Sequence, residues 1–426
     1  MNTHDKKNKI IIMLVIQMIM TFFFSVTLNM VSPLVTTIQE QTGWSFGKIG
    51  QFNSIIFFLM GAFAFVGAPM MNRLGTKKTA LVALALSAVG NLMAIFCGNV
   101  YWLHYLGKLL YGCGWGIFFL IPGAVLSYWI SPKNRASALG FRASVDLLGA
   151  GLSYYIVLPV FRQLNDNWQA TFAVFGIVFA IIFVAYLFGI EENDAEKEDR
   201  KKIAEANLNR KKGLKNSSYV RALKCKQVWI IMIALCGIQW VFNCYSTYLP
   251  SYLEIDAGYS VEIASRITGL MSITGVIAGF ATGALSSATG KRFILTWPMM
   301  ILLVVGSVGC LYMKNTILLS AMSGMVGFAI TAFMTGYTTI PGELPEAQTD
   351  PEFYASAVAI IYGTAFMLTY LIPIVVQAVL DGGGTLQKAL LINCIPGVIG
   401  LVASFFIMDT GVNGKYYKKL REEQSQ

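Results

Sequence analysis

Residues 191–226 read EENDAEKEDRKKIAEANLNRKKGLKNSSYVRALKCK. The stretch mixes acids with bases and holds little that builds a core. It interrupts a chain in which 56% of the 426 residues are apolar and only 13% are charged. A soluble domain carries about 25% charged residues, and a single soluble core stops growing near ~300 residues. The apolar excess therefore needs lipid as its solvent. A bilayer core of ~30 Å takes about 20 helical residues to cross. Such runs lie near 10–31, 46–71, 79–98, 102–130, 137–160 and 169–190, ahead of the polar stretch. A second set lies near 227–253, 262–288, 293–313, 316–345, 354–380 and 386–408, behind it. The reading is an all-α membrane protein of twelve transmembrane helices. A six-helix bundle occupies 1–190, a linker 191–226, a second bundle 227–408 and a short tail 409–426. The alternating ~10-residue segments of a membrane β-barrel are absent. The run 10–31 is too long for a signal-peptide core and reads as the first span.

The net charge of +10 invites a nucleic-acid reading, and its distribution removes it. Lys and Arg concentrate in cytoplasmic loops of membrane proteins. With the N-terminus inside, twenty-six of the 32 bases fall on inner segments, eleven of them between Lys197 and Lys226, and five (Lys48, Arg162, Arg266, Lys314, Lys388) on outer ones. That alternation places both termini in the cytoplasm of a cell inner membrane, with anionic lipid as a neighbour of the basic loops. The seven cysteines fall mostly within the apolar runs without metal spacing and read as small apolar residues. No phosphate-binding loop, catalytic triad or metal cluster is visible, so the chain reads as a non-enzyme with no cofactor.

The two sets of runs resemble each other. Gly43-Trp44-Ser45 precedes the second run and Gly258-Tyr259-Ser260 the eighth; Gly75 and Gly290 each follow 32 positions later, in short basic turns. Ile121-Pro122-Gly123 in the fourth run is matched by Ile340-Pro341-Gly342 in the tenth. A duplicated six-span unit follows, and parallel repeats are a known transporter plan. The basic turns carry a family resemblance. The major facilitator superfamily has G-x-x-x-D-R-x-G-R-R/K between its second and third helices. Here Arg73 and Gly75 match it, Lys77 and Lys78 stand one place late, Ala68 replaces the first glycine and Asn72 the aspartate. The second copy keeps Gly283, Gly290, Lys291 and Arg292, with Ser287 for the acid. The chain resembles that superfamily over its whole length. The resemblance assigns Arg73, Gly75, Lys77, Gly290, Lys291 and Arg292 to a cytoplasmic gate, whose ionic latch the missing acids weaken. Lys108-x-x-x-Gly112 is similar to the family's R-x-x-x-G. Tyr248-Leu249-Pro250-Ser251-Tyr252-Leu253 is similar to the organic-anion and cyanate-type permeases.

Few charges remain inside the spans, where each costs at least ~2.5–3.5 kcal/mol. Lys108 either meets an anion or a coupling partner or snorkels to the outer headgroups. The glycines after it (Gly112, Gly114, Gly116) would admit a helix or a ligand. Asp146 stands one turn after Arg142; it either pairs with that base or carries a proton. Glu343 belongs either to the end of the tenth run, as a second proton carrier, or to a solvated loop with Asp350 and Glu352. Polar residues recur every four positions: Gln17, Thr21, Ser25 and Asn29 in the first run, Gln239, Asn243 and Thr247 in the seventh, Thr331, Thr335 and Thr339 in the tenth. Each set lies on one helix face. It lines a cavity, as the family's helices 1, 4, 7 and 10 do, or joins helices by hydrogen bonds. Tyr111, Trp115, Trp240, Tyr245 and Tyr362 would be aromatic walls, or packing. His104 reads as an interfacial side chain.

The function these features imply is secondary transport of a small organic anion, a carboxylate, by alternating access. It would run as proton symport or anion exchange, with the protein acting as a monomer. The rival is efflux of hydrophobic compounds, which lacks the exporter pattern G-x-x-x-G-P in the fifth run. The charge distribution makes one direct prediction. In a cysteine-free background, an impermeant thiol reagent applied to sealed cells labels a cysteine placed at Asn165 and spares one at Asn207. Labelling at both positions would overturn the orientation.

Overall fold

The computed structural model describes residues 3–130, 132–190, 192–194, 196–198, 200–201, 218–349, 351–411 and 413–414. Among these, every regular element is a helix, and twelve segments are long and apolar enough to cross a membrane. They are numbered here α1 (Thr3–Leu28), α2 (Phe46–Leu74), α3 (Thr76–Leu92), α4 (Tyr101–Trp129), α5 (Pro132–Gln163), α6 (Trp168–Gly189), α7 (Lys226–Ile255), α8 (Val261–Thr289), α9 (Trp297–Tyr312) and α10 (Thr316–Thr339). The last two are broken: α11 runs Pro351–Leu368 and resumes as Ile372–Asp381, and α12 runs Leu386–Ile392 and resumes as Ile395–Ser404. The chain divides into two compact units, Met1–Lys211 and Lys212–Gln426. The division falls within the polar stretch, of which 202–217 lie outside the described residues, as does the tail from 415.

Both units use the same neighbours. In the first, α1 packs along α5, α2 along α4 and α3 along α4; in the second, α7 packs along α11, α8 along α10 and α9 along α10. The duplicated glycines have a backbone reason. Gly43, Gly75, Gly258 and Gly290 all have positive φ, between 65° and 80°, which a Cβ disfavours. Gly75 and Gly290 end α2 and α8, with different ψ, and Gly43 and Gly258 stand two residues before the N-caps Ser45 and Ser260 that start them. The duplicated Ile-Pro-Gly behaves differently in its two copies. Pro122 lies within α4, which continues to Trp129. After Thr339 the chain tightens instead into a 3₁₀ turn, Ile340–Glu343. The cause is Pro345: a residue before proline is pushed from helical to extended backbone, and Leu344 has ψ of 149°. Glu343 is therefore not a counterpart of mid-helix Ala124.

The first unit is pinned by an aromatic core. Phe24 of α1 stacks on Phe118 of α4, with centroids 4.2 Å apart, and meets Tyr111, Trp115 and Phe179. Small residues bring helices together without a large hydrophobic gain. A Cβ at Gly114 would lie 2.6 Å from the carbonyl oxygen of Ala83, and at Gly116 3.0 Å from that of Leu59. The Gly112–Gly116 series thus serves contacts of α4 with α2 and α3. The tightest approach is in the second unit, where a Cβ at Gly327 of α10 would fall 1.5 Å from the Met271 carbonyl oxygen of α8. Gly327→Ala should separate these helices and cost ~3 kcal/mol or more, seen as lost thermal stability in detergent. Gly283→Ala, with open space around it, should be neutral or slightly stabilising.

Candidate functional site

The polar face of α1 is turned into the first unit. Gln17, Thr21 and Ser25 are at most 1% exposed and Asn29 is 8% exposed. The face serves two different partners, because positions four apart drift ~40° around a helix of 3.6 residues per turn. Gln17 donates from Nε2 to the Tyr186 hydroxyl of α6 at 3.0 Å. Two turns on, Ser25 donates its hydroxyl proton to the Asp146 carboxylate of α5. Thr21 and Asn29 donate to carbonyls of their own chain turn. Tyr111 and Trp115 of α4 both donate to the Phe24 carbonyl, at 2.7 and 3.2 Å. They tie α4 to α1.

Three charged groups of these spans, Asp146, Lys108 and Arg142, differ in how they are satisfied. Asp146 is held by Ser25, not by Arg142: no ion pair joins the two residues. Lys108 is 3% exposed. Its ammonium lies 3.8 Å from the Phe172 ring centroid of α6 and 5.8 Å from that of Tyr111. It has no hydrogen-bond partner among the described residues. It points between α4 and α6, where His104 stacks against Trp168 at 4.5 Å. The aromatic faces offset part of the desolvation cost of the cation. Arg142 carries two more orphaned donors, Nε and Nη2, with the Phe119 ring 5.6 Å from its Cζ. Among the described residues, Lys108 and Arg142 are thus cations of these spans without acid partners, and Asp146 is an acid already hydrogen-bonded.

In the second unit, Gln239 and Asn243 of α7 are buried, and Asn243 donates to the Gln239 carbonyl at 2.8 Å. One amide oxygen on each, Gln239 Oε1 and Asn243 Oδ1, lacks a donor among the described residues. Thr331, Thr335 and Thr339 of α10 donate to carbonyls one turn back. Tyr362 stacks between Phe366 and Tyr337. Trp240 donates to Asn393 at 2.8 Å and Tyr245 contacts the Cys394 sulfur at 3.2 Å, both at the break in α12.

The basic turns are built differently from the sequence motif. The side chains of Asn72 and Ser287 lie outside the described residues. Acids from elsewhere reach the turns. In the second unit Arg292 holds Glu343 through two parallel bonds, Nε to Oε2 at 3.0 Å and Nη2 to Oε1 at 2.5 Å. Thr410 donates to the same carboxylate at 2.6 Å, and Asp409 accepts from the Arg292 backbone N–H at 2.6 Å. The bond to Glu343 raises the Arg292 pKa beyond its ordinary value. Asn413 completes the contact by donating to the Gly290 carbonyl. In the first unit Glu196, 6% exposed, accepts from the Thr76 backbone N–H at 2.6 Å and from its hydroxyl at 2.8 Å. It caps α3, which has no cap of its own, at the end where the helix dipole favours an anion. Lys77 donates to the Leu187 carbonyl at 2.9 Å, Arg73 is exposed, and the Lys291 ammonium lies 5.9 Å from the Phe293 ring centroid. The sequence reading missed Glu196, Asp409 and Thr410, whose neighbours across the turns no local spacing encodes. It counted Arg142 as a loop base, although its place one turn before Asp146 marked it.

Family comparison settles the class. The Major Facilitator Superfamily model matches residues 17–368. The chain belongs to the Major Facilitator Superfamily. It is thus a multi-pass membrane transporter, not an enzyme. It is 24% identical to the probable sulfoacetate transporter SauU of Cupriavidus necator, over 63% of this chain and 62% of that protein, and so spans less than two thirds of it. It is 25% identical to the hexuronate transporter of Bacillus subtilis, over 78% of this chain and 75% of that one. Human sialin is 22% identical over 71% and 63%. Among solved structures, the nucleoside transporter NupG superposes with a TM-score of 0.74 at 13% identity, covering 92% of this chain and 99% of that one. A D-xylose–proton symporter does so with 0.70 at 15% identity, over 93% and 97%. At these identities the structures share the fold alone.

The Arg292–Glu343 bond is testable in isolation. Its side chains are 18% and 27% exposed, so removing one partner leaves the other poorly satisfied. Arg292→Gln and Glu343→Gln should each cost ~1–3 kcal/mol, and the double variant no more than the larger single loss. Additive losses in thermal unfolding would show that the two residues act independently.

Proposed function

We propose that this transporter moves a small organic anion bearing a carboxylate by alternating access, in a cell inner membrane with both chain ends cytoplasmic. The observation that carries the reading is the uncompensated positive charge in the spans of the first unit: Lys108 and Arg142 are unpaired while Asp146 is engaged by Ser25. A fixed cation in lipid is costly, and a passing anion offsets that cost. Efflux of a neutral hydrophobic compound would have no use for it. The names of the relatives support the same chemistry: sulfoacetate, hexuronate and, for an Escherichia coli protein 23% identical over 58% of this chain, L-galactonate are carboxylates. Lys108, enclosed by rings, attracts the anion through its field. At ~15 Å and an effective dielectric constant of ~20 that field is worth ~1 kcal/mol.

Coupling to protons, or exchange of two anions, are the two modes open to such a site. We assign the proton to Asp146 because it lies inside a span with a hydroxyl donor and no ion pair. Glu343, held by Arg292 and Thr410, is a turn clamp in this reading. Reconstituted protein should accumulate glucuronate, galactonate or sulfoacetate when a pH gradient is imposed. Asp146→Asn should lose accumulation and keep exchange of labelled for unlabelled anion. Wild-type protein that transports none of these acids yet moves neutral sugars or dyes would sink the anion reading. Normal accumulation by Asp146→Asn would leave exchange as the mechanism.

A further inference from the structure

We infer that Arg142 of α5 is the seat of the substrate's carboxylate, an assignment that rests on the organic-anion reading above. The two orphaned nitrogens of its guanidinium are Nε and Nη2. They form one edge of the group, and their N–H bonds run parallel. That edge matches the two oxygens of a carboxylate and makes the bidentate pair that arginine forms best. The occupant that sequence spacing offers is Asp146, one turn away, and it is committed elsewhere, to Ser25 of α1. Phe119 of α4 lies against the guanidinium. It covers a face of the group and supports the cation, and the edge keeps its donors unpartnered. Arg142 as a residue is half-buried, and the two unpartnered nitrogens are themselves enclosed, so a carboxylate reaches them as the helices around the site move in the alternating-access cycle. Arg142 stands at the inner end of the membrane-spanning part of α5, which runs Phe141–Gln163; arginine cannot shed its charge, and an anionic acceptor satisfies its enclosed edge.

The geometry also separates Arg142 from Lys108. Phe119, beside Arg142, stands eleven positions after Lys108 on the same helix, about 16 Å at 1.5 Å per residue. One small anion cannot touch both. Lys108 is 3% exposed behind aromatic rings, whereas Arg142 is half-buried and keeps two donors without acceptors. Direct contact therefore belongs to Arg142, and the specificity it confers is for a planar carboxylate over its neutral amide.

The test is ligand binding to the full-length purified protein, using glucuronate, galactonate and sulfoacetate as probes and glucuronamide as the neutral control. Wild type should bind at least one acid and not the amide. Arg142→Gln should weaken that binding roughly 100-fold, and Arg142→Lys, which keeps the charge and loses the fork, by about tenfold or more. Lys108→Gln should cost less than about tenfold. Should Arg142→Gln not yield folded protein, Arg142→Lys and Phe119→Leu, compared by gel filtration and unliganded melting temperature, carry the comparison. Wild-type affinity in folded Arg142→Lys, or a larger loss in Lys108→Gln than in either Arg142 variant, overturns the assignment while leaving the anion reading intact. Absence of any acid binding by wild type removes the anion reading, and the assignment with it.

Discussion

The cost of holding charge where water is scarce sorts the ionisable residues of this chain. An acid or base in a span persists if a neighbour satisfies it or if a ligand does. Asp146 is satisfied by Ser25 and Glu343 by Arg292 and Thr410. Lys108 is partly compensated by the faces of Phe172 and Tyr111. Arg142 keeps two donors without acceptors. Ranked this way, the unmet demand among the described residues of the first unit is for negative charge, and the proposed substrate class rests on that demand.

The same cost shapes the turns. In each unit the segment leaving the last helix folds back on the turn that carries the duplicated glycine. Glu196, after α6, caps Thr76, and Asp409 and Thr410, after α12, engage Arg292 and Glu343. The acids arrive from a different part of the chain than the motif's acid position, and they meet an N–H group in each turn and, in the second, a base. A helix start without a side-chain cap needs an acceptor. The fold satisfies that need with whichever acid lies within reach.

Close helix contact supplies what burial of apolar surface cannot in lipid. Phe63 and Leu59 against Gly116, and Met271 against Gly327, approach to distances that leave no room for an added methyl group. These contacts recur at equivalent pairs, α2 with α4 and α8 with α10. The duplication is thus expressed in packing as well as in the glycine turns. Its failure at the third duplicated motif has a local cause. Pro345 ends α10 in a 3₁₀ turn where α4 runs on past Pro122, and this places Glu343 beside Arg292.

The class of fold was legible because it depends on composition along the chain: twelve apolar runs, a polar stretch between sets of six, and glycines where φ must be positive. These are local requirements, and lipid enforces them segment by segment. The family membership was legible from Arg73, Gly75 and Lys108 for the same reason. The partners were not legible. Spacing offered Arg142 to Asp146, but Ser25, 121 residues earlier, took the carboxylate. Spacing left Glu343 between a helix and a solvated loop, and Arg292, 51 residues before it, decided the matter. The stripe on α1 was visible as a stripe, yet whether Gln17 met solvent or Tyr186 depended on where α6 lies. Sequence alone determined which segments are helical and lipid-solvated, because each residue reports its own preference for lipid or water. Only the tertiary structure decided which charges are paired and which remain open, because a pair is made by two residues whose distance the sequence does not contain.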